Sequence, residues 1–515
     1  VIRPISDSER GQSSILSLTE QLFSERGMLA HSQGFEFRPQ QQQMAAAIAR
    51  SLATGQHLAV EAGTGVGKSY AYLLPALIQA LARKQRAIVS THTINLQEQL
   101  IAKDIPFLRR LLNDHPSPSL LRLLDTGKIE FKAVLAKGRA NYLCPHRLQR
   151  ALRDARKLFT TSETVELQRI ADWAGQTTDG SLSDMAFQPD AKVWGEVCSE
   201  RGICAPKICE TRGATCFYQQ ARREMRTADL LIVNHHLLLT ELAIRDSLGD
   251  ALKGAEDDGP GGVLLPAFDF IVLDEAHTLE ATAAEHIGIS LTLAGARWWL
   301  HKMWNPKTQK GLLSLLHRGD LVALTATALE ETDRFFTALQ SALFKTSPEA
   351  SAKSNAVRVR KPEVIPDTLS LPLASLLTES VKLIKETEDA SLREEIREWR
   401  RRGDEVRGAI KTFLSQELDD HVFWVERSGR AQKNIELRAA PVDVAPHLKR
   451  MLFDAHPSVI MTSATLAVAG KMDHFLKRVG GTEAGTLQLG SPFDFERQMK
   501  VYVPKKMPDP REEAY

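Results

Sequence analysis

Two stretches of this sequence carry residues whose types and spacing could do chemistry together. The first, "HLAVEAGTGVGKSY", starts at His57 as an apolar run and breaks into Gly63, Thr64, Gly65 and Gly67 before Lys68 and Ser69. Glycines at that density let backbone N–H groups curl around phosphate oxygens. The lysine that follows reaches the outer phosphates, and the next hydroxyl is placed to ligate Mg2+. The second, "FDFIVLDEAHTLE", ends a β-branched and aromatic run in Asp274, Glu275 and His277. There, Asp274 would hold Mg2+ through water, Glu275 would polarise the water that attacks a γ-phosphate, and His277 would sense the nucleotide state. Ala62 stands where the strict phosphate-loop pattern has its first glycine. The plain alternatives are a glycine-rich turn before a helix, and an acidic pair that caps a helix opening at Thr278 and Glu280. The order strand, loop, helix, with a strand-terminal acidic motif downstream, favours the nucleotide reading, with ATP and Mg2+ as cofactors.

The elements that must position these groups follow from the flanking patterns. "HLAV" reads as a buried strand, "AYLLPALIQALA" as the helix behind the loop, and "FDFIVLD" as a second strand, which together make an α/β unit. At 515 residues the chain exceeds one ordinary core, so three or four units are expected. Hydrophobic residues at 43% and charged residues at 25% are globular proportions. The formal charge of +2 implies no polyanionic partner by itself, so local charge has to be read instead. No apolar run approaches the roughly 18 residues of a membrane span, and "VIRPISDSERGQSS" is too polar for a secretory signal, so a cytoplasmic protein without membrane contact is expected.

Three of the five cysteines, Cys204, Cys209 and Cys216, fall in "GICAPKICETRGATCFYQQARREM", and Cys144 lies in "NYLCPHR". In a reducing compartment such a group points to a metal or redox site rather than to a disulfide scaffold. Four thiolates suit a tetrahedral zinc or a 4Fe-4S cluster, and the loose gaps leave both open. Cys198 reads as an ordinary thiol. Arg139, Arg147, Arg150, Arg153, Arg156 and Lys157 surround the first cysteine, and Arg222, Arg223 and Arg226 follow the last, with Tyr142, Phe217 and Tyr218 among them. Basic groups can track phosphates and aromatic faces can stack on bases, although such runs are commonly solvated helix.

Further blocks resemble superfamily 2 helicases. "RAIVSTHTINLQEQL" is similar to the motif after the phosphate-loop helix, and the resemblance puts Thr91 and Thr93 against a DNA backbone. "SVIMTSATLA" resembles the block that couples hydrolysis to strand movement, through Ser463, Ala464 and Thr465. "FEFRPQQQQM" resembles the adenine-reading motif, with Arg38 and Gln41 at the matching positions. "LTATAL" at Leu324 to Leu329 looks like a second copy of the coupling block, but it reads as helical surface. About 180 residues separate the acidic motif from "SAT", and about 90 separate "KAVLA" from "ADLLIVNHHLLL". This double interruption resembles the DinG and XPD branch of DNA helicases. The resemblance implies a P-loop RecA-like parallel-sheet motor domain interrupted by an iron-sulfur domain and a mainly helical arch. It favours a 4Fe-4S cluster on Cys144, Cys204, Cys209 and Cys216; the basic groups that converge on that metal-stapled unit favour a DNA path, with Lys137, Arg139 and Asn141 as the preferred contacts. The resemblance further implies 5′ to 3′ travel on single-stranded DNA, in repair or replication.

The boundaries expected on that basis are 1–136, 229–288 and 436–475 for the motor domain, 137–228 for the iron-sulfur domain and 289–435 for the arch. Residues 476–515 read as the truncated start of a second motor domain, so the chain alone is expected to turn over poorly. Within the arch, Leu392, Ile396, Trp399, Val406, Ile410 and Phe413, with Gly403 filling one place, form a heptad seam, and the charges of "REEIREWRRRGDEVR" take the other faces. A long helical hairpin follows, without catalytic residues. Expected partners are single-stranded DNA and forked or 5′-tailed duplexes, with a single-strand-binding protein as a candidate, acting on a monomer. Two other readings stay open: an ATPase that is stimulated by DNA without separating strands, and a non-motor iron-sulfur DNA-binding fragment.

Overall fold

The computed structural model describes residues 7–32, 36–200, 216–248, 264–316, 318–344, 355–429, 433–503, 507 and 509. Eleven strands are described: β1 (Leu58–Ala62), β2 (Ala87–Thr91), β3 (Ala133–Leu135), β4 (Leu230–Asn234), β5 (Phe270–Asp274), β6 (Ile289–Thr292), β7 (Ala356–Val359), β8 (His421–Ser428), β9 (Asn434–Pro441), β10 (Val459–Ser463) and β11 (Gly485–Leu489). Seven make a parallel sheet in the order β11-β1-β10-β5-β2-β4-β3. Residues of β2, β5 and β10 are buried throughout, as both-face coverage by helices demands of continuous Val, Ile and Leu runs. Register places Thr462 beside Asp274 and Ser463 beside Glu61, so the carboxyl ends of β1, β10 and β5 lie next to one another. In open α/β sheets that edge is where ligands bind.

β11 pairs with β1 over its whole length, so the sheet runs past residue 475 into the segment expected to begin a second motor domain. The strand "GTLQL" is an edge with alternating polar residues and is largely exposed, so it lacks the apolar run by which its central neighbours are recognised.

Residues 289–441 hold the other sheet, antiparallel in the order β6-β9-β8-β7, together with the helices Leu293–Met303, Gly319–Phe344, Ser370–Glu386 and Ala390–Ser415. The mainly helical expectation therefore misses a sheet, and β9 continues beyond residue 435. The heptad seam is present: Leu392, Ile396, Trp399, Gly403, Ile410 and Phe413 are buried on the inner face of the Ala390–Ser415 helix, and Val406 is half-buried. A Cβ at position 403 would come 2.5 Å from both Leu377 and Trp299, which accounts for the glycine. The rings of Trp299 and Trp399 stack at 4.7 Å, and each indole N–H donates to the other's backbone carbonyl at 2.9 Å.

Two expectations here need correction. The "LTATAL" segment is helical but not surface, because Thr325, Ala328 and Leu329 are buried in the same core. The charges of "REEIREWRRRGDEVR" do not all stay on outer faces either, because Glu395 and Glu398 are buried. Glu395 reaches Arg147 at 3.4 Å, Lys302 at 3.1 Å and also Arg150, while Arg147 and Lys302 meet Glu200 at 2.9 and 3.0 Å. This network joins the helix Pro145–Arg153 to the heptad helix. Its arginines, predicted as part of a phosphate path, are committed to carboxylates instead.

Candidate nucleotide site and basic insert

The phosphate loop turns twice through the left-handed region, at Gly65 (φ 87°) and Gly67 (φ 85°). A Cβ at Gly67 would lie 2.1 Å from Nε2 of Gln41. Gln41 is buried and its amide donates to the Gly67 carbonyl at 3.0 Å, while Arg38 donates to the Gly65 carbonyl and pairs with Glu36 at 3.0 Å. Both residues expected to read adenine thus brace the loop backbone. Gly63 faces open space and Thr64 is exposed at the outer turn. Lys68 opens the helix Lys68–Arg83, with its ammonium 3.7 Å from Glu275.

Asp274 ends β5 and is buried. Its Oδ1 accepts from Thr462 at 3.0 Å and its Oδ2 from the Tyr72 hydroxyl at 3.1 Å. Burial and the neighbouring Glu275 push its carboxyl above the ordinary value, against Lys68 and these hydrogen bonds. The fully buried Tyr72 hydroxyl also lies against Ser69, so one ring links the two residues expected to hold Mg2+. Glu275 sits in the left-handed region (φ 53°), where a residue other than glycine carries about 1–3 kcal/mol of strain. Its carboxylate is 3.5 Å from the Ser463 hydroxyl and 3.4 Å from Nδ1 of His277, which itself meets Ser463 at 2.8 Å. Thr465 is exposed, and its backbone N–H donates to Ser463 at 3.3 Å. Residues 186 positions apart in sequence are therefore joined at one strand edge.

Sequence reasoning missed Tyr72, Thr462 and Glu61. Glu61 accepts the backbone N–H groups of Leu466 and Ala467 and the Gln488 amide at 2.7 Å, tying the phosphate-loop strand to the segment after "SAT". Burial would raise its pKa, but these donors hold it below the ordinary value. A polar side chain inside an otherwise apolar strand was the available signal.

Among the residues expected on DNA, the structure separates the accessible from the committed. Thr91 is fully buried, because β2 is a central strand covered on both faces, whereas Thr93 is exposed and caps the helix Ile94–Gln99. Arg147, Arg150 and Arg222 are buried, as are Tyr142 and Tyr218, which therefore offer no face for a base to stack on. Arg153, Arg156, Lys157, Arg223 and Arg226 are exposed. Lys137 is half-buried, donates to the hydroxyls of Ser181 (2.6 Å) and Ser183, and is pushed below the usual lysine range by burial. Arg139 lies 4.4 Å over the Tyr218 ring and donates to the Glu200 carbonyl at 3.3 Å; Asn141 donates to Gly138 at 3.0 Å.

Cys144 and Cys216 are buried, and each occupies the cap position at a helix N-terminus, of Pro145–Arg153 and of Phe217–Arg226. Helix N-termini favour thiolate over thiol, which fits a soft metal or an iron-sulfur group. Cys204 and Cys209 lie outside the described residues, and among the described residues no three His, Cys, Asp or Glu side chains converge as a metal site. The Cys198 thiol points elsewhere, 3.8 Å from the Gly195 carbonyl and 4.0 Å from Arg147. No helix among the described residues is long and apolar enough to cross a membrane.

A family model described as DEAD/DEAH box helicase matches residues 38–170. The ATP-dependent DNA helicase YoaA of Escherichia coli K12 is 30% identical over 505 residues, covering 94% of this chain and 69% of YoaA. The ATP-dependent helicase DinG of Mycobacterium tuberculosis H37Ra is 29% identical, with coverage of 91% and 66%, and the 3′-5′ exonuclease DinG of Bacillus subtilis 26%, with coverage of 92% and 51%. This chain thus spans between about half and about seven-tenths of the length of these relatives. A solved XPD helicase superposes with a TM-score of 0.45 at 14% identity, over 90% of this chain and 64% of that one.

Proposed function

The chain belongs to the DinG/YoaA family of ATP-dependent DNA helicases, and from that premise we propose that it couples ATP hydrolysis at the β1, β5 and β10 strand ends to 5′ to 3′ movement on single-stranded DNA. The observation that carries the reading is the meeting of Lys68, Asp274, Glu275, His277 and Ser463 at one edge of the parallel sheet. Backbone N–H groups of the loop from Gly63 to Gly67 bind the phosphates, and Lys68 neutralises the outer two. Ser69 and Asp274 are the residues that would hold Mg2+, whose charge offsets that developing on the phosphoryl oxygens. Glu275, freed from Lys68 when phosphate takes that ammonium, accepts the proton of the attacking water. His277, bonded to Ser463, relays the change to the segment before Thr465, which is open to DNA.

The exposed Arg153, Arg156, Lys157, Arg223 and Arg226 supply a sequence-independent phosphate path, with Thr93 at the motor domain and Lys137, Arg139 and Asn141 at the rim of the insert. Cys144, Cys204, Cys209 and Cys216 would hold a 4Fe-4S cluster that staples this insert. The preferred substrates are single-stranded tails and forks. Glu275→Gln tests the core of the reading: nucleotide affinity should stay within about twofold while DNA-stimulated hydrolysis falls at least a hundredfold. Parental turnover in Glu275→Gln would remove Glu275 as the base. Separation of a 5′-tailed but not a 3′-tailed duplex tests direction, and DNA-stimulated hydrolysis without separation of either would identify a translocase instead.

A further inference from the structure

One buried histidine belongs to no role assigned so far. His235 follows β4 directly and is fully buried. Its Nδ1 lies 2.7 Å from the hydroxyl of Ser90, itself fully buried on β2. Ser90 is in register with Val233 of β4 on one side and with Leu273 of β5 on the other, one residue before Asp274. The ring also lies against the backbone carbonyls of Asp274 and Glu275. With Nδ1 committed to Ser90, Nε2 is the atom left to meet them, and it is buried without an aligned hydrogen-bond partner among the described residues. An unpaired buried donor is costly, so a small shift of the Asp274–Glu275 peptide that closed the bond would be favoured. That peptide is also strained, through the left-handed Glu275. On the other side, Ser90 immediately precedes Thr91 and the exposed His92 and Thr93, and the His92 ring is 6.3 Å from that of His235.

We propose that His235 is a positioning residue. It is anchored through Nδ1 to the strand that leads to Thr93, and through Nε2–H it fixes the backbone of Glu275 in the hydrolytic geometry, so that engagement of DNA at the end of β2 is transmitted to the attacking water. The ring is suited to this task by its shape: it holds two nitrogens on different edges, Nδ1 against Ser90 and Nε2 left for the backbone at the end of β5. An imidazole is a rigid two-ended spacer, which neither a serine nor an aliphatic side chain can be. The inference rests on Glu275 being the base.

The test is single-turnover ATP hydrolysis by the full chain with and without a single-stranded oligonucleotide, on His235→Leu, His235→Gln and Ser90→Ala, with Glu275→Gln in parallel. His235→Leu should lower the rate with DNA at least tenfold while changing the ATP concentration for half-saturation by less than twofold. His235→Gln, which can still donate and accept, should recover part of the loss. Ser90→Ala should lower DNA stimulation in the same direction by about threefold, and it decides the matter if His235→Leu does not fold. Undiminished DNA stimulation in a folded His235→Leu or in Ser90→Ala would overturn the coupling, as would equal loss of rate and nucleotide affinity with no recovery in His235→Gln. Parental hydrolysis by Glu275→Gln would instead bring down the assignment of the base, whatever the His235 variants do.

Discussion

Glu395→Ala should uncouple the heptad helix from the Pro145–Arg153 helix. The carboxylate is fully buried and faces Arg147, Arg150 and Lys302, all nearly or fully buried themselves. Burial by itself would raise its pKa, but Arg150, Lys302 and Arg147 hold it far below the carboxylate range. At an effective dielectric constant of about 20, a contact near 3 Å corresponds to about 5 kcal/mol of gross attraction, most of which is offset by desolvation. Removing the shared carboxylate leaves three buried cations with Glu200 and Glu196, and breaking a buried pair in this way costs about 3–5 kcal/mol. For a unit of this size that corresponds to a fall of roughly 10 °C in melting temperature. All seven tryptophans, at positions 173, 194, 298, 299, 304, 399 and 424, lie outside the strands and helices that make the parallel sheet and its covering layers. Indole fluorescence during urea unfolding therefore reports on this interface, while far-UV circular dichroism follows the whole chain. The expected result is an earlier fluorescence transition with a smaller change in the circular dichroism midpoint. Replacing Arg147 and Arg150 by Met in the same background should recover part of the loss, since it removes the stranded charges. A fluorescence midpoint within about 1 kcal/mol of the parent would refute the argument that these charges depend on Glu395.

Other outcomes follow from the same reasoning. Gly67→Ala should abolish nucleotide binding, because the new Cβ meets Gln41 at a backbone conformation that only glycine adopts readily; retained binding of a fluorescent ATP analogue would contradict it. Serine at Cys144 or Cys216 should bleach the visible absorbance of an iron-sulfur group and loosen the insert, whereas Cys198→Ser should leave the colour; stoichiometric zinc in an anaerobic, colourless preparation would count against the cluster. His456 is stacked on Phe268 and lowered to about 4 by burial, with Arg245 and His57 adding to it. The unfolded chain therefore binds the extra proton first, and stability should fall by roughly 3 kcal/mol as pH drops from about 6.5 to 4. Melting curves across that window should flatten in His456→Phe, and an unchanged slope would show that other groups govern acid lability.

The glycine loop and the strand-terminal acidic motif were legible because their geometry is local. Gly65 and Gly67 are needed for backbone conformation, Lys68 and Ser69 follow in fixed geometry, and Asp274 and Glu275 end a strand whose residue types declare it. The heptad seam was legible for the same reason, since spacing along one helix determines which residues share a face. What lay beyond reach depends on partners distant in the chain. Nothing near Arg147 or Arg150 distinguishes a phosphate contact from a buried ion pair, because the deciding carboxylate, Glu395, is 248 and 245 positions away. Thr91 was expected on DNA beside Thr93 until the sheet order made β2 central, and β11 was invisible because an edge strand need not be apolar. Tyr72, Thr462, Glu61 and His235 acquire meaning only when parallel pairing stacks β1, β2, β4, β5 and β10 side by side. Sequence alone therefore determined where the glycine loop turns and where the acidic pair ends its strand, since that rests on short-range backbone geometry. The tertiary structure decided which charged groups are buried and which stay exposed, since burial is a property of packing between distant segments.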